Sequence, residues 1–163
     1  MMLIKTSDYC KTQEDLDFII RKIKDISSEF GLRLNSNIEL DKIPEYSYLC
    51  VLNNEIIGIL QADVFANSIY EVEVFKFRDS NTFSMDLFRF YKLLSNLNPN
   101  RLKFSIAKDN KFAEHLALKT IKKFFKYLEM IYFIPNEDKN VYVYKNTKVE
   151  VWLWNYANYR INL

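Results

Sequence analysis

Apolar residues recur along the chain at two spacings, and the switches between them mark out the elements. Leu16, Ile19, Ile20, Ile23, Ile26 and Phe30 fall three or four apart, which places them on one face of a helix. Thr12 followed by Asp15 resembles a capping box, with Asp where Glu or Gln is usual, and Gly31 stands where a C-terminal cap belongs. Ahead of this helix "MLIKT" is a short strand. Behind it, residues 32–46 are polar and irregular and close on Pro44, a loop with room for one helical turn.

The spacing then changes to two. In "YSYLCVLNNEIIGILQADVF" two apolar runs flank Asn53-Asn54, a pair that tolerates the left-handed backbone of a tight hairpin. Gly58 inside the second run marks a bulge or a close backbone approach. A turn at 66–68 leads to "IYEVEVFKF", a third alternating strand. "NTFSMDLFRFYKLLSNLNPN" returns to helical spacing and stops at Asn98-Pro99. "RLKFSIA" is a strand. It is followed by a second long helix with Ala113, Ala117, Ile121, Phe124 and Leu128 along one stripe and Asp109 as its cap. "MIYFI" and "VYVYK" form a hairpin about "PNEDKN", and "VEVWLWN" alternates once more before the tail "YANYRINL". This order predicts an α/β fold: a mixed, mostly antiparallel sheet flanked by helices on both faces. One domain accounts for the 163 residues, with 147–163 a strand and tail extension of residues 1–146.

Composition narrows the chemistry. Only 2 glycines are present, so few sites offer bare main chain to a ligand. The 23 basic and 21 acidic residues are interleaved and leave a net charge of +2, without the single-sign field that nucleic acid attracts. The basic run "KTIKKFFKY" reads as a solvated helix face. Cys10 and Cys50 lack zinc or redox spacing and are expected to be free thiols, Cys50 buried in a strand and Cys10 in a loop. His115 is the only histidine, which excludes a histidine-based metal cluster or triad, and it falls on a helix as an exposed or half-exposed residue. No signal-peptide or membrane-span pattern occurs, so a cytoplasmic location is expected.

Three segments carry a family resemblance. "VLNNEIIGILQAD" looks like a hairpin whose polar turn is followed by a glycine-containing hydrophobic strand. "YEVEVFKF" takes the place of a central cofactor-binding strand. "IAKDNKFAEHLA" has Asn110 and, three residues on, Ala113 at a helix start. Together with the element order, these resemble the GCN5-related N-acetyltransferase (GNAT) family over roughly residues 2–146. The resemblance implies acetyl-CoA as cofactor and a small-molecule or protein amine as acceptor. It implies pantetheine contacts near Val74, in a β-bulge region, and a coenzyme contact at Asn110. The family cradles pyrophosphate on a Q/R-x-x-G-x-G/A loop at a helix start, where backbone N–H groups and the helix dipole meet the phosphates. Arg78 matches the first position, while Asn81 and Phe83 replace the glycines. A register moved back by one places Ser80 and Thr82 there, at the expense of Phe77 in the first position. Residues Arg78 to Ser84 are thus the implied cradle, and Ser80, Asn81 and Thr82 are equally N-cap residues of a helix without a ligand.

Glu71 and Glu73 share one face of the central strand, and Glu73, nearer its C-terminal half, is the implied general base. The plain alternative for the pair is a solvated strand surface paired with lysines. The family's general-acid tyrosine position falls on Ala117 and its Gly-Phe ending on Ile121-Lys122, with Tyr127 too far along to substitute. Two functions follow. One is a divergent acyl-CoA-dependent N-acyltransferase. The other is a noncatalytic interaction module on the same fold, of the kind a phage or other mobile element encodes. Trp152 and Trp154, two residues apart, either cover a sheet edge or form a homodimer contact.

Overall fold

The computed structural model describes residues 2–26, 38–78, 83–135 and 138–148. In chain order these form β1 (Met2–Lys5), α1 (Thr6–Tyr9), α2 (Gln13–Ile26), a 3-10 turn at Leu40–Lys42, β2 (Ser47–Leu52), β3 (Glu55–Phe65) and β4 (Ser68–Lys76). There follow α3 (Phe83–Ser95), β5 (Arg101–Ala107), α4 (Lys111–Phe124), β6 (Glu129–Pro135) and β7 (Lys139–Lys145). The strands make one sheet in the order β1-β2-β3-β4-β5-β7-β6. Each neighbouring pair is antiparallel except β4–β5, which is parallel. Phe30, Gly31 and the strand expected at "VEVWLWN", with Trp152 and Trp154, lie outside the described residues.

Local chemistry explains most element ends. The Asp15 amide donates to Thr12 Oγ1 at 3.2 Å, and the Thr12 amide donates back to Asp15 Oδ2 at 3.2 Å, a reciprocal box that starts α2. Asn53 and Asn54 have φ of 51° and 64°, the left-handed pair that a two-residue hairpin needs. Ala66 and Asn67 do the same for the β3–β4 turn at 49° and 60°. α3 ends in a tightened turn, and Asn98 turns left-handed at 47° just before Pro99. At α4 the cap is Asn110 rather than Asp109: its Oδ1 accepts the Ala113 amide at 3.1 Å, while Asp109 sits in the preceding turn. α1, at four residues, is too short to show a helical period and went unpredicted.

Helices cover both faces of the sheet. On one face Leu16, Ile19, Ile20 and Ile23 of α2 meet Leu49, Val51, Ile56 and Ile59. On the other, Leu87, Phe90 and Leu94 of α3 and Ala117 and Ile121 of α4 meet Cys50, Ile57, Leu60, Phe104 and Tyr142. The α4 stripe differs from its sequence pattern at the end. The helix stops at Phe124, and Phe125 takes the core position, 1% exposed.

Two bulges shape the middle of the sheet. Between Cys50 and Val51 the β2–β3 register skips Ile57, so Ile57 and Gly58 both turn toward α3. There Phe83 lays its ring on Gly58: a Cβ built on the glycine would stand 2.5 Å from the ring and 2.8 Å from the Phe75 carbonyl oxygen. The second bulge is at Tyr70, between the rungs Val64–Ile69 and Asp63–Glu71. It lies four residues before Val74, the position expected from the resemblance, and it adjoins the last rung that β4 shares with β5.

Candidate active site

Among the described residues, β4 and β5 pair only at Ser68–Arg101 and Ile69–Leu102. From that rung outward β4 keeps its ladder with β3 and β5 its ladder with β7, so the two central strands part. The bulge at Tyr70 supplies the cause, because an extra residue bends and twists its own strand away from the neighbour. The early end of that ladder leaves a wedge in the middle of the sheet, where the facing edges of β4 and β5 share no further rung.

The two glutamates share the α2 face. Gln61 faces Glu73 and Asp63 faces Glu71 across the β3–β4 ladder, while Phe75 and Phe77 continue the same side into the α2 core. Glu71 spans the base of the wedge: its Oε2 lies 3.9 Å from Lys103 Nζ on β5. Burial raises the Glu71 carboxyl above its ordinary value, against the opposing pull of Lys103, Lys139 and a hydrogen bond from Ser105. Glu71 thus behaves as the lysine-paired strand residue of the plain alternative. Glu73 sits two residues further out, on the wall where the strands have separated.

The other sequence-designated residues are spread over three places. Val74, 42% exposed, lies on β4 opposite Leu60. Arg78, at the outer end of β4, donates to the Glu55 carboxylate at the start of β3, so its guanidinium is already engaged in the free protein. Ser84 is a half-buried residue in the first turn of α3, and Ser80, Asn81 and Thr82 lie outside the described residues. Asn110 is exposed at the outer end of β5, where α4 begins, with its carbonyl oxygen occupied by the helix cap. Phe83 does not stand over the helix start as its position in the glycine pattern suggested. It is 7% exposed and belongs to the core beneath α3.

Among the described residues, no phenol takes the vacant general-acid position. Ala117 is buried in the core, and Tyr127 donates to the Pro99 carbonyl at 2.9 Å, at the end of β5 opposite Asn110. Tyr142 on β7 is hydrogen-bonded to Glu114 in the first turn of α4, and burial together with that carboxylate pushes it up to about 12. The thiols are equally unsuited to nucleophilic work. Burial, with Asp86 beside it, drives Cys50 far up, and burial with Asp15 raises Cys10 to about 11. Cys10, expected in a loop, closes α1 and is buried against α2. His115 is exposed on α4.

Sequence reasoning overlooked the row of polar residues behind Glu73. Thr6, Ser47 and Gln61 are fully buried, with Thr6 Oγ1 to Ser47 Oγ at 2.8 Å and Ser47 Oγ donating to Gln61 Oε1 at 3.3 Å. A polar residue at the core-facing phase of a strand, such as Gln61 between Ile59 and the bulge, was the available signal.

No protein-family model matches the chain, and no curated protein matches it. Solved structures do. A point mutant of spermidine N-acetyltransferase SpeG from Vibrio cholerae is 12% identical, with TM-score 0.58 over 91% of this chain and 96% of that one. Ribosomal-protein-alanine N-acetyltransferase from Brucella melitensis is 9% identical, with TM-score 0.56 over 88% and 98%. The structure of yncA from Salmonella typhimurium with its cofactor acetyl-CoA is 9% identical, with TM-score 0.57 over 89% and 93%. The fold is the GNAT fold. At these identities the likeness concerns architecture, the α/β arrangement of a mostly antiparallel sheet with its helices. Among the described residues, no helix is long and apolar enough to cross a membrane.

Proposed function

We propose that the protein is an acyl-CoA-dependent N-acyltransferase that acetylates a primary amine. The observation that carries this is the early parting of β4 and β5, with Glu73 on the wall of the opening. The similar yncA structure holds acetyl-CoA. Two of the similar proteins are named for amine acceptors, spermidine and a ribosomal-protein alanine.

The residues fit such a cofactor. Around Val74 the β5-side edge of β4 shares no rung with β5, which leaves main-chain groups for the amides of a pantetheine arm. The starts of α3 and α4 lie at the outer ends of β4 and β5, where helix-terminal N–H groups suit a pyrophosphate. Arg78 and Ser84 would line the first of these, with Ser80, Asn81 and Thr82, which lie outside the described residues, as further candidates. Asn110, its Oδ1 used by the cap, has its side-chain amide hydrogens for the second. When bound, the thioester supplies the activated acyl group. The chain's own part is to orient the acceptor and move one proton: the Glu73 carboxylate accepts it from the amine, leaving the nitrogen lone pair available for attack. Ala117, in the acid position, has no proton to give, so protonation of the leaving group there would fall to solvent.

Thermal melting tests the proposal. Acetyl-CoA at about 100 times its Kd stabilises the folded protein by ~2.7 kcal/mol, a clear rise in Tm. No rise at millimolar coenzyme would defeat it. Across a panel of polyamines and peptide N-termini, Glu73→Gln should lower kcat by roughly 100-fold with coenzyme binding retained.

A second reading, a noncatalytic interaction module, is favoured by one set of observations: Ala117 is core, Tyr127 is tied to Pro99, and Arg78 is paired with Glu55. No turnover on any amine, with or without a melting response to acetyl-CoA, is its expected signature.

A further inference from the structure

The buried polar row ends at Gln61, and its end is incomplete. Ser47 holds the carbonyl oxygen of the Gln61 amide from the β2 side. The amide nitrogen, in a side chain with 0% exposure, has no hydrogen-bond partner. On the β4 side, the residue directly opposite on the same face is Glu73. Side chains of facing residues on antiparallel strands stand about 5 Å apart at Cβ, within reach of an amide and a carboxylate. A fully buried amide donor left unfilled is costly, and native folds rarely keep one without a reason.

We propose that Gln61 is the positioning residue for Glu73: anchored through Ser47 and Thr6, its amide N–H2 receives the Glu73 carboxylate and aims it into the opening between β4 and β5. This rests on the acyltransferase reading for its purpose, and on β-ladder geometry for its contact. The row begins at Thr6, in α1, so the orientation of the base is set from the far side of β2 and β3 rather than from the cofactor side. A hydrogen bond to the charged form of a carboxylate favours that form, which suits a group that must accept a proton. Other charges near this face are Asp63 on β3, Glu71 on β4, Lys103 on β5 and Lys139 on β7. These charges act on Glu71, two residues before Glu73, and Glu73 has a further interaction of its own, so the contribution of Gln61 is read by difference between variants.

The experiment is a carbon-13 NMR titration of the Glu73 carboxyl in the full chain, wild type against Gln61→Met, Gln61→Glu and Ser47→Ala. Gln61→Met keeps the shape and removes the donor, and should move the Glu73 titration up by about one pH unit. Gln61→Glu should move it further up. Ser47→Ala frees the anchor without touching Gln61 and should give a smaller shift of the same sign. Gln61→Met should shift its rate profile along the pH axis with Glu73, and by linkage should melt lower than wild type at pH values where Glu73 is ionised. An unchanged Glu73 titration in Gln61→Met and Ser47→Ala overturns the proposal, whether or not acetyl-CoA binds. A shifted titration with no coenzyme binding leaves the Gln61–Glu73 contact standing and removes the acyltransferase instead.

Discussion

The two arms of the sheet, β2–β3–β4 and β5–β7–β6, are finished to different degrees. In the first, β3 is buried from Ile56 to Ala62, with α2 on one face and α3 on the other. In the second, Phe104 stacks on Tyr142 at 5.0 Å under α4, but β6 is exposed along its whole length. Met130, Ile131, Tyr132, Phe133 and Ile134 are 38–54% exposed, although an edge strand is normally blunted by charge or proline. The arm that carries the proposed base is thus packed between helices on both faces, and among the described residues the arm across the opening is covered on one face only.

Mutations should separate the arms sharply. Leu60→Ala, at a fully buried position of β3, should cost about 2–5 kcal/mol in denaturant unfolding, the loss of buried area plus a cavity. A cost under about 1 kcal/mol would show that the first arm is looser than its burial implies. Gly58→Ala adds a methyl against both the Phe83 ring and the Phe75 carbonyl oxygen. Overpacking of this kind should cost about 1–3 kcal/mol, and it should weaken coenzyme binding as well, because α3 begins at Phe83. A variant as stable as wild type would mean that the ring has somewhere else to go.

Glu71 tests the junction of the arms. Its folded-state carboxyl is raised, chiefly by burial, so the native protein binds more protons there than the unfolded chain does. Its contribution therefore favours folding at low pH and is lost as pH rises from the ordinary Glu range through the raised value. Glu71→Gln should flatten the pH dependence of the unfolding midpoint above the ordinary Glu range, and be at least as stable as wild type at neutral pH and above. A variant that loses stability there would show that the Lys103 pair outweighs burial. The smallest effect belongs to the outer arm: Phe133→Ala on β6, 48% exposed in wild type, should change stability by about 0.5 kcal/mol or less. A loss several times larger would reveal that β6 is covered in solution.

Much of the fold was legible where the determining contacts are local. The Thr12–Asp15 box and the Asn53-Asn54 hairpin each depend on residues within a few positions of one another, and each appears as expected. The cap of α4 shifted by one residue, from Asp109 to Asn110, because either side chain could accept an amide and the turn geometry chose between them. The candidate site was legible only in part. Alternation predicted that Glu71 and Glu73 share a face, which the β3–β4 register confirms. Their different surroundings, Lys103 beside one and Gln61 opposite the other, arise from strands distant in sequence.

The amino-acid pattern by itself determined the elements, their order and the two-faced layering, since periodicity and turn chemistry act over short stretches of chain. Only the tertiary structure decided that β7 inserts between β5 and β6, that the bulge at Tyr70 parts β4 from β5, and that Phe83 folds inward onto Gly58. Those outcomes depend on which strand edges and side chains meet across long separations in sequence, where many pairings satisfy the same local pattern and close packing selects one.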